Sequence, residues 1–299
     1  MTGDKKDGAR SCLVTYYSSL VTLMKRILTA LVALPILLYT VWSQIPYFFV
    51  ALAALAALLA LGEFYHIAAK IGYRAHAAAG YAAAVLVLVC FVVDTLAGIV
   101  AVLAALVIVS LAIELATAKD LQETMGAVAA TLMGVVYVVM LAGYLLGVRM
   151  ISDSFTPTRV PHLAAKLLTM FFAMVMLTDT GAFYTGRSLG RHKLAPRISP
   201  GKTIEGAVGG FITAILSGPL CHYTFFPEIP LVQAMLLGAA IGLVGQVGDL
   251  AESMLKRGAA VKDSGNLLPG HGGMLDRVDS LLFCAPLLYY YARWFLPKW

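Results

Sequence analysis

The chain has 299 residues, of which 60% are hydrophobic and 13% charged, and its formal net charge is +6. This composition lies outside that of soluble globular domains and within that of polytopic membrane proteins. Because the basic residues lie in short loops between apolar stretches, they favour an anionic membrane face over a nucleic-acid partner. The four cysteines form no C-x-x-C pair, so a disulfide framework or a zinc site is not expected.

Stretches of about 20 apolar residues predict transmembrane helices, and they recur along the chain. Residues 1–23 are weakly patterned and predict an N-terminal extension, with Met24 as an alternative start. The remainder, 24–299, is expected to form one all-α polytopic membrane domain, with scaffold spans in 24–162 and the functional spans and loops in 163–299. The predicted spans, about nine in number, are 26–43, 46–67, 76–93, 96–115, 126–147, 163–185, 204–226, 231–255 and 278–296.

The distribution of basic residues predicts the orientation of these spans. With the N-terminus in the cytoplasm, most of the 22 Lys and Arg residues fall on the cytoplasmic side, as the positive-inside rule requires. The loops after the sixth and eighth spans, which carry the most charge, are then expected on that same side.

Two glycine patterns in the apolar spans allow close contact between helices. Packing inside the chain is the preferred interpretation, and a seam between two copies is the alternative. The patterns are Gly206-x-x-x-Gly210 and Gly238-x-x-x-Gly242, the second continued by Gly245 and Gly248.

The first charged stretch runs from Asp179 to Gly206 and is strongly basic. Asp179 lies in an apolar span, where an ionisable residue is costly and indicates function, with a structural polar contact as the alternative. A basic loop of this kind also arises from topology alone. Its cations are Arg187, Arg191, Lys193, Arg197 and Lys202.

The ISPGKT segment within this stretch favours a phosphate site over a purely topological signal. Ser199 is expected to cap the next helix and Pro200 to occupy its first turn. Lys202, beside Thr203, would then stand where backbone N–H groups and the helix dipole attract anions. The Walker pattern G-x-x-x-x-G-K-[ST] is not met, because Pro196 stands where its first glycine is needed.

The second charged stretch runs from Asp249 to Asp279 and gathers carboxylates, cations and glycines in an otherwise apolar chain. Helical offsets place Glu252, Ser253 and Lys256 on the same helix face as Asp249. The pattern then breaks at closely spaced glycines and a proline, where backbone amides can approach a ligand. Two helix ends and the loop between them are therefore expected to surround one anionic ligand.

The carboxylates of this stretch have two interpretations. Oxygen donors such as Asp249, Asp276 and Asp279 suit Mg²⁺ that is shared between one or two carboxylates and substrate phosphates. Salt bridges that join two spans are the alternative. His271, in a glycine turn without H-E-x-x-H or a Ser-His-Asp arrangement, is more typical of a hydrogen-bonding strut than of a base. Together the two stretches offer cations and metal ligands, which favours phosphoryl or nucleotidyl transfer.

These residues match the signature of a known family. The run resembles, position for position, that of the CDP-diacylglycerol synthase (phosphatidate cytidylyltransferase) family. It reads Ser253-x2-Lys256-Arg257-x4-Lys262-Asp263-x-Gly265-x2-Leu268-Pro269-x-His271-Gly272-Gly273-Met274-x-Asp276-Arg277-Val278-Asp279. The family's second block is similar to Gly186, Lys193, Leu194, Pro196 and the run Ile198-Ser199-Pro200-x-Lys202-Thr203-x-Glu205-Gly206. Spans one to five resemble the family only in hydropathy.

The resemblance implies a nucleotidyltransferase of phospholipid biosynthesis that converts CTP and phosphatidic acid to CDP-diacylglycerol and pyrophosphate. It implies Mg²⁺ and a second cation, K⁺, held by Asp249 and Asp276, with Asp279 and Glu252 as further candidate ligands. Lys202 and Lys256 would complete the catalytic set. It also implies a multi-pass homodimer of the inner membrane whose active site faces the cytoplasm. The residues implied to bind substrate phosphates are Lys193, Ser199, Pro200, Lys202, Thr203, Ser253, Arg257, Lys262, His271, Gly272, Gly273 and Arg277.

Two other functions fit part of the pattern. A CTP-dependent lipid kinase or another CDP-lipid enzyme would share the metals and phosphates, but a kinase would release CDP instead of pyrophosphate. A secondary transporter of an anionic solute would also carry intramembrane aspartates and broken helices, yet the charges here cluster on loops at one face of the membrane.

Overall fold

The computed structural model describes residues 31–118, 120–152, 157, 159–265, 267 and 272–296. The predicted extension 1–23, the alternative start at Met24 and the proposed strut His271 lie outside these residues.

The apolar stretches fold into α-helices, and one short antiparallel hairpin is inserted between two of them. A π-helical segment, Val135–Met140, joins α5 to α6 without a break. The helices are α1 Leu31–Trp42, α2 Tyr47–Lys70, α3 Ala77–Val92, α4 Leu96–Thr117, α5 Leu121–Gly134, α6 Leu141–Arg149, α7 Leu163–Leu189, α8 Ile204–Thr224, α9 Leu231–Gly258 and α10 Leu275–Trp294. The strands of the hairpin are β1 Lys193–Ala195 and β2 Ser199–Thr203.

The all-α membrane fold predicted from hydropathy is confirmed. A helix lies at the position of each predicted span, and six helical stretches are long and apolar enough to cross a membrane. Of the other predicted spans, the described part of α1 and the helix α3 are shorter, and α10 begins with a charged turn. The number nine therefore stays a prediction, while the description of the protein as an integral membrane protein stands.

The helices pack around two apolar cores. One core joins α7 and α10 through fully buried residues such as Phe171, Met174 and Leu288. The other lies among α2, α3 and the π-helical segment, around residues such as Leu61 and Val87. Four helices pack in the order α7, α8, α9 and α10, with α10 also against α6. Consecutive packing places the end of α7 beside the start of α8, and the end of α9 beside the start of α10.

The glycine faces are used inside the chain, which confirms the preferred interpretation. A Cβ atom at Gly210 would lie 2.9 Å from atoms of α7, so α8 approaches that helix closely. Gly242 faces the side chain of Ala214 in α8, and Gly248 faces the backbone oxygen of Asp279 in α10. The helices can approach this closely because glycine has no side chain. The glycine faces are therefore already occupied by contacts within the chain.

Gly218→Ala in α8 is expected to lower the melting temperature of the purified protein. A Cβ atom there would lie 2.7 Å from the backbone of Ala234 in α9, and an added methyl group in a tightly packed site costs about 1–3 kcal/mol. The matched control is Gly258→Ala at the end of α9, where no atom of another described element lies within 4 Å of the added Cβ. Equal melting temperatures for the two variants would contradict the close packing of α8 on α9.

Candidate active site

The two charged stretches meet at one end of the helix bundle. The first begins in the last part of α7 and continues through the hairpin to the start of α8, and the second spans the end of α9, the next loop and the start of α10. Arg257 links them, because its Nε donates to the backbone oxygen of Ile198 at 3.1 Å and its Nη1 to that of Val261 at 3.2 Å. Both loops therefore lie at the same end of the helix bundle, and that this end faces the cytoplasm stays a prediction.

The hairpin corrects the predicted start of α8. The expectation that Ser199 caps this helix and that Pro200 begins it is wrong, because both residues lie in β2. Pairing with β1, Lys193 opposite Thr203 and Ala195 opposite Ser199, keeps the segment extended. Pro200 is tolerated there because a two-stranded sheet has only edge strands.

Thr203 caps α8 in place of Ser199. Its backbone is extended, with φ −124° and ψ 155°, and its Oγ1 accepts a hydrogen bond from the N–H of Gly206 at 3.1 Å. Glu205, in the first turn of α8, accepts backbone N–H groups of Arg191 at 3.0 Å and His192 at 3.2 Å. The helix start thus holds both ends of the hairpin, and Lys202 directly precedes the cap.

A cavity of about 430 Å³ lies between α7, the hairpin, α8 and α9. At its wall, Lys202 Nζ lies 2.5 Å from Asp249 Oδ2, and the two side chains are 27% and 33% exposed. Ser253 Oγ lies 3.4 Å from the other oxygen of Asp249. Both charges can therefore be reached from the cavity. Its polar and charged lining consists of Asp179, Arg187, Lys202, Thr203, Gln246 and Asp249.

A second, more buried cluster surrounds Lys256. Its Nζ lies 2.5 Å from Glu252 Oε2 and 2.6 Å from Asp276 Oδ1. This ion pair joins α9 to α10, so the salt-bridge interpretation left open by the sequence is realised at this position. The side chains of Lys256, Glu252 and Asp276 are 12%, 1% and 6% exposed.

Asp276 is held from three directions. Its Oδ2 accepts the backbone N–H groups of Ser264 at 2.9 Å and Gly273 at 2.8 Å, while Oδ1 faces Lys256. The residue precedes the apolar part of α10. Burial alone would raise the pKa of its carboxyl, but the Lys256 ammonium and the two N–H donors outweigh burial and lower that pKa. Asp276 is therefore held as a carboxylate of fixed orientation.

Two further aspartates, Asp179 and Asp279, lie near Asp249 of the first cluster. Asp179 of α7, Asp249 of α9 and Asp279 of α10 lie close enough for their charges to interact. The close approach of α9 and α10 at Gly248 brings Asp279 toward Asp249. Asp179, marked by the sequence only as a costly charge in an apolar span, therefore belongs to this group and lines the cavity.

The other predicted phosphate-binding residues differ in their position relative to these clusters. Lys193 lies in β1, and Lys262 and Arg277 are exposed. The charge of Arg277 acts on Asp179. Gly272 has φ +81°, a conformation that favours glycine, and a Cβ there would lie 2.7 Å from Asp276 Oδ2. Gly273 donates to the same oxygen. Their roles toward phosphate stay predictions.

Two parts of the site were not assigned from the sequence. Gln246 lines the cavity, and its Nε2 donates to the backbone oxygens of Ala207 at 3.1 Å and Gly242 at 2.9 Å. Glu63 of α2 contacts the loop before α10. A polar residue inside an apolar span was the available signal for both.

The residues present fit a divalent cation that also binds substrate phosphates. Among the described residues, no group of three or more His, Cys, Asp or Glu side chains is arranged to hold a metal ion. Mg²⁺ needs no such cage, since it commonly takes one or two carboxylates and completes its shell with phosphates and water. Asp249, with hard oxygens at the cavity wall and Asp279 nearby, offers such a partial set. Asp276 and Glu252 already lie against Lys256.

Comparison with known proteins places this site in a family. The model of the cytidylyltransferase family matches residues 24–295. The chain belongs to the cytidylyltransferase family. The match extends over all of the described helices, so it includes both the apolar scaffold and the charged end of the bundle.

Curated members and relatives share substantial identity with this chain. It is 48% identical over 126 residues to a phosphatidate cytidylyltransferase of Bacillus subtilis, which covers 42% of the chain and 47% of the relative. It is 50% identical over 127 residues to one from Synechocystis, with 42% and 43% covered. An uncharacterized Escherichia coli protein, YnbB, is 43% identical over 138 residues, 46% of each chain. The chain spans about half the length of the curated relatives it matches.

Proposed function

We propose that this cytidylyltransferase-family protein transfers the cytidylyl group of CTP to phosphatidic acid, giving CDP-diacylglycerol and pyrophosphate. The observation that carries the proposal is the cavity in which Lys202 and Asp249 face each other beside Arg187. A site that joins two phosphate compounds needs cations to offset their repulsion and carboxylates that can hold metal ions. The names of the curated relatives support the same reaction.

The substrate itself supplies the nucleophile in this proposal. A phosphate monoester has a second pKa of about 6, so the phosphatidate is largely a dianion at neutral pH and no protein base is required. One of its oxygens attacks the α-phosphorus of CTP in line, the bond to the β-phosphate oxygen breaks, and pyrophosphate leaves with that electron pair. Lys202 and Arg187 bind the phosphates and neutralise the charge that develops on them.

The proposed cofactors are Mg²⁺ and a second cation, K⁺. Asp249 and Asp276 would hold them, with Asp279 and Glu252 as further ligands. Cations bound there would stabilise negative charge on the α-phosphate of the transferred cytidylyl group and on the leaving pyrophosphate. Two lysines orient these carboxylates: Lys202 pairs with Asp249, and Lys256 pairs with Asp276.

We also propose a location and an assembly. The basic loops at the charged end favour a cytoplasmic active site in the inner membrane, with the N-terminus on the same side. Phosphatidic acid would then reach the site from the bilayer. A homodimer is proposed by analogy with the family, and its interface would lie outside the glycine faces, which are occupied within the chain.

Purified protein in detergent, supplied with CTP, phosphatidic acid and Mg²⁺, is expected to form CDP-diacylglycerol and pyrophosphate in equal amounts. Thin-layer chromatography of the labelled lipid and a coupled pyrophosphate assay measure the two products. Release of CDP with a phosphorylated lipid would indicate a lipid kinase instead. If neither product formed in this assay and proteoliposomes took up an anionic solute in the absence of nucleotide, the protein would be a transporter instead.

A further inference from the structure

We infer that Glu63 is a positioning residue that fixes the start of helix α10, which carries Asp276, to helix α2. This inference rests on the proposed function for its catalytic consequence, whereas the contact itself stands on geometry. Glu63 lies inside the span α2, more than 200 positions before the loop in the sequence. A carboxylate in such a span is costly and is retained where it has a partner.

The partners of Glu63 are hydrogen-bond donors at the start of α10. Its Oε1 accepts the backbone N–H of Met274 at 2.9 Å, and its Oε2 accepts that of Leu275 at 2.9 Å. The first N–H groups of a helix have no partner within it, and the helix dipole favours a negative charge there. Glu63 thus caps α10 from a distant part of the chain. No described Lys, Arg or His forms a salt bridge with it.

Ser264 connects this cap to Asp276. The buried Ser264 hydroxyl donates to Glu63 Oε2 at 2.7 Å and accepts the backbone N–H of Asp276 at 3.3 Å. The backbone N–H of Ser264 donates to Asp276 Oδ2 at 2.9 Å. Through Ser264, Glu63 therefore holds both the backbone and the side chain of Asp276. The remaining oxygen of Asp276 is left to face Lys256.

Close packing around Glu63 supports a fixed contact. A Cβ atom at Gly265 would lie 2.6 Å from Glu63 Oε1, and one at Gly273 would also collide with the Glu63 carboxylate. Gly265 and Gly273 thus lie directly against this side chain. The loop can take this course only because these two positions carry no side chain.

The test replaces Glu63 by Gln in the full-length protein. The amide keeps the size of the side chain but has one acceptor atom in place of two and turns an NH₂ group toward N–H donors. We expect kcat for CDP-diacylglycerol formation to fall about 10- to 100-fold, the usual effect of losing a group that orients a ligand. The KM for CTP should change little, because the cavity residues Lys202 and Arg187 are untouched. A loss confined to KM would contradict positioning.

Hydrogen exchange gives a readout that does not depend on activity. The peptide containing Met274 and Leu275 is expected to exchange faster in Glu63→Gln than in the wild type. The matched control is Glu114→Gln, which removes a carboxylate paired with His76 away from the site and should leave this peptide and kcat unchanged. Wild-type exchange in Glu63→Gln would overturn the inference even if the activity fell.

A second variant guards against misfolding of Glu63→Gln. Ser264→Ala leaves Glu63 in place but removes the hydroxyl that connects it to Asp276, and it should lower kcat in the same way. The double variant should be no worse than the more affected single variant, because both changes break one connection. Independent, additive losses would count against the connection. If the wild type makes no CDP-diacylglycerol, the proposed function fails, and the exchange measurement still decides the contact.

Discussion

Asp249→Asn is expected to lower the rate of CDP-diacylglycerol formation by about 1,000-fold or more while the protein still folds. Stabilisation of transition-state charge by a bound cation is worth several kcal/mol, and each 1.4 kcal/mol is about a factor of ten in rate. The folded protein should tolerate the change, because the Lys202–Asp249 pair is about a third exposed and such pairs contribute roughly 0–1 kcal/mol. Radiolabelled CTP incorporation and a melting curve in detergent measure the two effects.

A matched control for this change is Asp120→Asn. Asp120 is exposed and caps α5 by accepting the N–H of Gln122 at 2.8 Å, a task that Asn performs equally well. The control should therefore keep both activity and melting temperature. If Asp249→Asn retained most of its activity, Asp249 would not be a metal ligand, and the cavity would need another source of cation binding.

The position of the helices was predictable because the bilayer sets their length. Each predicted span coincides with a helix in the described chain, and ends differ by a few residues, as for α2, which continues to Lys70. The same reasoning did not predict the hairpin. Strands of three and five residues with a proline and a glycine carry no period that sequence analysis detects. Glu205 and Arg257 contact the residues that flank these strands, and both contacts come from helices that are distant in sequence from β1 or from the turn of the hairpin.

The sequence predicted which residues belong to the site only where those residues lie close together in the chain. Helical spacing correctly placed Glu252 and Lys256 on one face of α9, where the structure shows that their side chains form an ion pair. The ion pair between Lys202 and Asp249 joins the two charged stretches. Only their opposite charges indicated from the sequence that these stretches act together. Glu63 could not be placed, because its contacts with Ser264 and Met274 arise from the packing of α2 against α10. A carboxylate in an apolar span identifies a residue with a partner but does not name that partner.

Asp276→Asn is expected to abolish turnover as Asp249→Asn does, and in addition to lower the melting temperature. Asp276 accepts hydrogen bonds from Lys256, Ser264 and Gly273, and its side chain is only 6% exposed. An asparagine has one acceptor oxygen, so its NH₂ group must face either the Lys256 ammonium or the two backbone donors. Loss of hydrogen bonds to a buried charged group costs about 1.5–3 kcal/mol.

The comparison between the two aspartate variants separates ligand chemistry from loop structure. Both replace one carboxylate by an amide of the same shape, yet Asp249 lies at the cavity wall and Asp276 holds the loop before α10. Equal losses of activity with a lower melting temperature for Asp276→Asn alone would support both roles. Equal melting temperatures would contradict the structural role of Asp276, and an active Asp276→Asn would remove it from the proposed metal ligands. Lys256 keeps Glu252 as a partner in this variant, so the cluster on α9 should persist and restrict the damage to the loop.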